Sequence, residues 1–150
     1  MRNRLSLVLF LLLVVGGGST IGLLNLPGGW YAGLVKPSFN PPNWIFGPVW
    51  TALYVIIAVV GWRIWEAHRA SPAMTFWWAQ LILNFLWSPA FFGFHSPGLG
   101  LVIIGLMLVS IIAFIVSAWR IDRLSAFLFL PYLAWVSFAS LLNAAIFVLN

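Results

Sequence analysis

The third apolar stretch of the chain carries two amides and two large rings at helical spacing. Gln80, Asn84, Trp87 and Phe91 fall at positions i, i+4, i+7 and i+11, which lie on one face of an α-helix. A side-chain amide in hydrocarbon costs several kcal/mol when it has no hydrogen-bond partner, so this face should point into the protein. Amide, indole and phenyl groups together can hold a ligand by hydrogen bonding and stacking.

Two other apolar stretches carry similar faces. Trp50 and Tyr54 form an i, i+4 pair, and a broad arc later in the chain contains Tyr132, Trp135, Phe138, Ala139, Leu142 and Asn143. If the three faces converge, they enclose a cavity of indole and phenyl rings with a few amide and hydroxyl groups, which is typical of a site for a large, flat, mostly apolar ligand. The alternative is that the amides only join neighbouring helices, and for Gln80 both interpretations stay open.

Conventional catalytic groups are sparse. The chain has no cysteine, which excludes disulfides, thiolate metal sites and a cysteine nucleophile. Glu66 and Asp122 flank apolar stretches, and no constellation of serine, histidine and acid is present. His68 and His95 lie near the ends of stretches, where we expect them at the membrane interface and not as ligands. We therefore expect no metal site and no required cofactor.

The composition indicates which elements must position these side chains. Of the 150 residues, 63% are hydrophobic and only 6% are charged, whereas a soluble domain carries roughly 25% charged residues. Five apolar stretches are long enough to cross a bilayer as helices, at residues 5–24, 44–65, 74–94, 99–119 and 124–149. The sequence therefore predicts one all-α domain over residues 1–150, a polytopic membrane protein with a bundle of five transmembrane helices. A cleaved signal peptide is the alternative for the first stretch, but its apolar run is longer than usual and continues to Leu24.

Basic residues concentrate on one side of the predicted membrane. That side holds Arg2, Arg4, Arg63, Arg69, Arg120 and Arg123, and the other side holds only Lys36. The positive-inside rule then predicts a cytoplasmic amino terminus and a carboxyl terminus on the opposite face, in a multi-pass protein of a bacterial cell membrane. The same asymmetry accounts for the basic isoelectric point, so we expect the bilayer as partner and no nucleic acid.

The first connection, residues 25–43, has the composition of a protein core. Its side chains Trp30, Tyr31 and Phe39 cannot all face water cheaply, because burying one such ring is worth about 1.5 to 3 kcal/mol. Pro41 and its neighbouring prolines stiffen the backbone, and Gly28 permits a turn before the helical segment WYAGL. We expect this connection to fold back over the helix ends as a lid. Interfacial aromatic residues are the alternative for the two rings at 30 and 31.

The chain resembles the family of tryptophan-rich sensory proteins and translocator proteins, also called the peripheral benzodiazepine receptor family. The resemblance covers nearly the whole chain and is most specific in three segments. They are WYAGLVKPSFNPPNWIFGPVW from Trp30 to Trp50, QLILNFLWSPAFF from Gln80 to Phe92, and PYLAWVSFASLLN from Pro131 to Asn143. It implies a five-helix bundle, commonly a homodimer, whose first connection covers a pocket for porphyrins, sterols and benzodiazepine-site ligands.

Carried over position by position, the resemblance implies a set of pocket residues on the lid and three helices. These are Tyr31, Pro41, Trp50, Tyr54, Asn84, Trp87, Ser88, Phe91, Trp135, Phe138, Ala139 and Asn143. This chain departs from the family pattern at Phe39, where the family commonly has tryptophan. Its tail LLNAAIFVLN also lacks the tyrosine and following basic residue of the cholesterol-recognition pattern of animal relatives, so steroid handling is not expected.

Three functions remain under consideration. The leading hypothesis is a receptor or carrier for protoporphyrin IX or a related tetrapyrrole, acting in tetrapyrrole regulation or a stress response, with the porphyrin as ligand and not as cofactor. The second is enzymatic, a light-dependent porphyrin breakdown with Trp50 and Trp135 as the participating residues, as linked to some bacterial relatives. The third is a transporter of sterols, lipids or small hydrophobic drugs, which is disfavoured because no carboxylate lies within a span.

Overall fold

The computed structural model describes residues 3–150, and it is all-helical with no strand in that range. The orientation prediction also uses Arg2, which lies outside the described residues. Within these residues seven α-helices follow one another: α1 Arg4–Leu24, α2 Gly29–Ala32, α3 Phe46–His68, α4 Pro72–Ser88, α5 Pro97–Ala118, α6 Arg123–Leu128 and α7 Leu130–Leu149. A short 3-10 helix, Asn43–Ile45, leads into α3. The predicted all-α class is therefore confirmed, and the five long helices form the bundle.

Two of the long helices contain a wider, π-helical turn. In α1 this turn covers Leu12–Gly16, and α4 continues as a π turn over Pro89–Gly93. A π turn inserts one residue into the hydrogen-bonding pattern, which changes the direction of the side chains that follow it. Hydropathy along the sequence carries no signal for the first of these turns, whereas Pro89, which lacks an amide proton, marks the second.

The last predicted span, residues 124–149, is divided in the structure. Helix α6 ends at Leu128, and α7 begins at Leu130 after a turn at Phe129. Pro131 explains the break, because it has no amide proton to donate to the preceding turn. The two helices still lie end to end, so the segment Arg123–Leu149 remains long and apolar enough to cross a membrane.

Four segments of the described chain satisfy both the length and the hydropathy that a membrane crossing needs: Arg4–Leu24, Asn43–His68, Pro97–Ala118 and Arg123–Leu149. Helix α4 is not among them, because it carries Gln80, Asn84 and several tryptophans that lower its hydropathy. Together with its π turn it runs from Pro72 to Gly93, roughly 30 Å at 1.5 Å per residue, which is the thickness of a bilayer core. It packs extensively against α5 and also contacts α1 and α3, so its polar side chains are sheltered from lipid.

Close packing at the centre of the bundle depends on a glycine. Trp77 of α4 is fully buried against α3, where its indole N–H donates to the carbonyl of Ile57 at 3.0 Å. A methyl group added at Gly61 would lie only 2.3 Å from that indole, so no larger residue fits. This contact fixes the separation of α3 and α4 on the side of the bundle away from the lid.

Ionic and polar contacts tie the helices together at the end where Arg63 lies. Its guanidinium binds Asp122 through two hydrogen bonds, Nη2 to Oδ1 at 3.0 Å and Nε to Oδ2 at 3.1 Å. The Ser125 hydroxyl also donates to Asp122 at 2.6 Å. Burial alone would raise the pKa of the Asp122 carboxyl, but these bonds outweigh it and hold the pKa below its usual value. At the same end, the Ser6 hydroxyl of α1 donates to Glu66 of α3.

Candidate ligand-binding site

A cavity of about 450 Å³ lies beneath the lid, enclosed by side chains of α1, α3, α4, α5 and α7. Its volume falls within the range of roughly 300 to 1,000 Å³ that is usual for small-molecule pockets. Ten of the twelve predicted pocket residues line it: Tyr31, Trp50, Tyr54, Asn84, Trp87, Ser88, Phe91, Trp135, Ala139 and Asn143. The three aromatic faces of the sequence therefore converge in one place.

The other two predicted residues, Pro41 and Phe138, do not line this cavity. Phe138 faces a shallow apolar groove between α3 and α7 on the outside of the bundle. Its ring meets Phe39 of the lid at 6.1 Å and Trp135 at 5.7 Å, both between ring centroids. Phe138 follows Trp135 by three residues, which corresponds to a rotation of about 300° around the helix axis. Its side chain therefore lies at the outer edge of the helix face that contains Trp135. Phe138 therefore supports the lid and the cavity wall from behind.

Two pairs of aromatic rings form walls of the cavity. In the first wall, Trp50 and Trp135 meet edge to face, with centroids 6.4 Å apart and an interplanar angle of 85°. In the second wall, Trp87 and Phe91 are stacked at 5.0 Å with an angle of 23°. Edge-to-face and offset-stacked pairs are the geometries that aromatic rings prefer, so both walls are fixed before any ligand binds.

A chain of hydrogen bonds joins α4 to α7 below these walls. The Asn84 amide donates to the Tyr132 hydroxyl at 2.7 Å, and that hydroxyl donates to Gln80 Oε1 at 2.8 Å. The Gln80 amide in turn donates to the carbonyl of Trp77 at 2.8 Å. Gln80 is fully buried and does not reach the cavity, so it serves the helix contact. Asn84 does both, because it bonds α7 and also lines the cavity.

A second polar link holds the opposite end of the cavity. The Trp87 indole N–H donates to Asn143 Oδ1 at 3.0 Å, and the Asn143 amide donates to the carbonyl of Pro97 at 2.8 Å. This side chain connects α4, α5 and α7 where the cavity approaches the lid. By contrast, the buried indole nitrogen of Trp135 has no hydrogen-bond partner in the described part of the chain.

The lid is anchored by rings packed on the end of α4 and on the turn that follows it. Trp30 lies between Phe91, at 5.7 Å, and His95, on which it stacks at 4.6 Å with an angle of 11°. Tyr31 is buried against Phe91 and Phe92. The helical turn expected in WYAGL is helix α2, and it positions these two rings.

Tyr31 presents a neutral hydroxyl-bearing ring to the cavity. Burial raises the pKa of its phenol, and the neighbouring Asn40 amide offsets part of that rise. The Lys36 ammonium lies 4.5 Å above the same ring and donates to the carbonyl of Leu34 at 3.3 Å. A cation is thus placed behind the lid-side edge of the cavity, in a cation–π contact.

Asn150 closes the lid from the other side. Its amide oxygen accepts from the backbone N–H of Val35 at 3.0 Å, and its amide nitrogen donates to the carbonyl of the same residue at 2.9 Å. It also donates to the carbonyl of Ile146 in α7 at 2.8 Å. We call this three-bond contact the Asn150 clasp.

Sequence reasoning missed the contribution of the first helix. The cavity is also lined from α1 by Gly18, Ser19, Gly22 and Leu23, and from other elements by Phe46, Thr51, Ile104 and Met107. The residues of α1 are small or aliphatic and carry no chemical signal. The spacing of Gly18 and Gly22, four positions apart on one face, is the feature that could have indicated a close approach there.

The groups that line this site can bind a ligand by stacking and hydrogen bonding. Among the described residues that line it, none is an acid, a base or a histidine, and in residues 3–150 no three metal-binding side chains cluster. The polar atoms that line it belong to amides, hydroxyls and indoles. These groups orient a ligand but do not transfer protons to it at neutral pH.

Comparison with known proteins agrees with this architecture. The profile of the TspO/MBR family matches residues 8–149. The tryptophan-rich protein TspO of Archaeoglobus fulgidus is 47% identical over 123 aligned residues, covering 81% of this chain and 80% of that protein. A tryptophan-rich sensory protein of Cereibacter sphaeroides is 34% identical, covering 97% of this chain and 92% of its own. The human translocator protein is 38% identical, covering 76% of this chain and 70% of its own.

The family profile spans nearly the whole chain, and each of these relatives is matched over most of its length. The bundle, with its apolar crossings, is that of an integral membrane protein. The chain belongs to the TspO/MBR family.

Proposed function

We propose that this protein is a membrane receptor or carrier for porphyrins, with protoporphyrin IX or a related tetrapyrrole as its natural ligand. The observation that carries the proposal is the presence of two aromatic walls, Trp50 with Trp135 and Trp87 with Phe91, in one lidded cavity. A flat, mostly apolar macrocycle gains stacking contacts from such rings. The names of two relatives, sensory protein and translocator protein, support a role in ligand sensing or movement.

The charge distribution supports a ligand whose acidic groups stay near the lid. The wall of the cavity is neutral in the described residues, so buried carboxylates would find no cationic partner there. Lys36 lies at the edge, over Tyr31, and its contacts with the described residues are to carbonyl oxygens and to that ring. The propionates of a porphyrin would therefore point toward Lys36 and the lid backbone, while the macrocycle occupies the aromatic part.

The orientation that we propose places the amino terminus in the cytoplasm of a bacterial cell. Arg63, Arg69 and Arg123 lie at the ends of helices on the side of the bundle away from the lid. Two of them stack on interfacial tryptophans, Arg69 on Trp65 and Arg123 on Trp119. Basic residues at that end, with the lid at the other, support an orientation in which the cavity lies in the outer half of the membrane, by the positive-inside rule.

Titration of the detergent-solubilised protein with protoporphyrin IX, followed by the absorbance of the porphyrin, tests the proposal. We expect saturable binding at one site per chain. Replacing both Trp50 and Trp135 by alanine should weaken it by about tenfold or more, because each stacking pair is worth about 0.5 to 1.5 kcal/mol.

Trp44→Ala is the matched control, since Trp44 is 73% exposed and does not line the cavity. It should bind the porphyrin as the unmodified protein does. Unchanged affinity in the Trp50 and Trp135 double variant would refute stacking in this cavity.

A further inference from the structure

Helix α1 separates from α3 at its π turn. Before and within the turn, α1 packs along α3, with Phe10 and Val14 buried and Ser6 bonded to Glu66. After the turn, Gly17–Leu24 packs chiefly against α4. Gly18 is the last close approach to α3, because a methyl group added there would meet the Tyr54 ring at 2.6 Å. A gap between the two helices follows on the lid side of this contact.

The cavity reaches the outer surface of the bundle through this gap. Ser19 and Leu23 of α1 line the cavity and are also exposed, and Leu23 has 71% of its surface accessible. Across the gap, Gly47 and Thr51 of α3 show the same combination. Leu26, Pro27 and Asn43, at the two ends of the lid segment, show it as well, so the opening runs from between the helices to the rim of the lid. Residues that line a cavity and the outer surface together mark an opening, which we call the α1–α3 port.

The described residues that line the port carry no charge. Gly22 and Gly47 flank it, and a methyl group added at either would contact nothing within 4 Å. Both helices belong to membrane-crossing segments, so the part of the port between them faces the hydrocarbon on the lid side of the bilayer. A ligand dissolved among acyl chains could pass through it without moving any charged side chain.

The route beneath the lid is obstructed by comparison. The Asn150 clasp, the stacking of Trp30 on His95 and the packing of Tyr31 on Phe91 would all have to be broken to lift the lid. We propose that apolar ligands reach the cavity from the bilayer through the α1–α3 port while the lid stays closed. This inference rests on the proposed function, because it concerns the passage of the ligand that the cavity binds.

A larger side chain at Gly22 tests whether ligands pass through the port. Gly22→Leu fits the helix and projects a side chain into the gap, and Gly105→Leu on α5 is the matched control, since Gly105 also has open space around it and does not line the cavity. Protein in phosphatidylcholine vesicles is mixed with vesicles that carry protoporphyrin IX, and the quenching of tryptophan fluorescence gives the rates of uptake and release. We expect Gly22→Leu to slow both uptake and release by about tenfold, because the added side chain obstructs the passage in both directions. Gly22 also lines the cavity, but a loss of affinity alone would speed release, so the direction of the change in release separates the two effects.

The lid route makes a different prediction for a second variant. If ligands pass beneath the lid, Asn150→Ala should speed their uptake. If ligands pass through the port, Asn150→Ala should leave the uptake rate unchanged. The control Gly105→Leu should leave the uptake rate unchanged in either case. Equal rates in Gly22→Leu and the unmodified protein, or faster uptake in Asn150→Ala, would overturn the port. If the unmodified protein binds no porphyrin, the proposed function fails, and the same rates measured with Nile red decide the port separately.

Discussion

Polar side chains in the interior of the bundle have two roles: some join neighbouring helices, and some line the cavity. Tyr132 accepts from Asn84 and donates to Gln80, so one buried hydroxyl satisfies two amides. Removing it leaves both amides short of a partner, which costs more than the hydrogen bonds themselves contribute. The stability of the bundle and the shape of the cavity floor therefore depend on the same residue.

Tyr132→Phe should lower the free energy of unfolding by about 1 to 3 kcal/mol, because it strands two buried amides. Thermal unfolding in detergent measures the change. Tyr54→Phe is the matched control, since the Tyr54 hydroxyl makes no hydrogen bond with the described residues, and it should unfold close to the unmodified protein. Equal losses in the two variants would show that the network contributes nothing specific.

For single residues, the sequence predicts those features that depend on side-chain type and spacing. The face of Gln80, Asn84, Trp87 and Phe91 could be oriented from polarity alone, because lipid excludes amides. The different roles of the two amides could not be predicted, because both bond Tyr132 and only Asn84 also reaches the cavity. Phe138 was misplaced for a similar reason: an arc of apolar rings does not reveal where the inner surface ends.

At the scale of elements, the lid is held by bonds to the backbone as well as by rings. The Asn150 clasp binds both the N–H and the C=O of Val35, which imitates the pairing of a short strand. Because backbone groups are the partners, the clasp is insensitive to the side chain at position 35. The lid is therefore joined to α7 and α4 at separate points.

Asn150→Ala should raise the rate of hydrogen exchange at the Val35 amide by roughly tenfold, because two hydrogen bonds of about 0.5 to 1.5 kcal/mol each are lost. Exchange measured by mass spectrometry on peptides of residues 30–40 reports it. A peptide from the centre of α5 serves as the internal reference and should not change. Unaltered exchange at Val35 would mean that the rings alone hold the lid.

The helices themselves were largely predictable, and their irregularities were not. Long apolar stretches indicate crossings because the bilayer requires about 20 residues for each. A π turn such as Leu12–Gly16 changes only the hydrogen-bonding register and leaves hydropathy unaltered. The α1–α3 port follows from that turn, so the sequence indicated the crossing but not the opening beside it.

At the scale of the whole molecule, Asp122 links α3, α6 and the end of the bundle away from the lid. Its folded pKa lies below the usual value of 3.8, so the unfolded chain binds this proton more readily. The stability that it contributes is therefore fully present above that value and is lost as the pH falls through the lower, folded pKa. The acid sensitivity of the bundle should be concentrated at this contact.

Asp122→Asn should destabilise the protein at neutral pH by about 1.5 to 3 kcal/mol, the contribution of hydrogen bonds to charged groups. The difference in melting temperature between variant and unmodified protein should then shrink as the pH falls below about 4, when the native carboxylate is itself protonated. A difference that is independent of pH would show that the Arg63 pair does not carry this stability.

The neutral wall of the cavity also bears on how the protein responds to the voltage across its membrane. One elementary charge moved through the field is worth about 2.3 kcal/mol per 100 mV, and the described residues that line the cavity carry none. Any dependence of ligand binding on the voltage would then come from ionised groups of the ligand. Ligand flux measured against an imposed potential would therefore report how many ionised carboxylates the ligand carries.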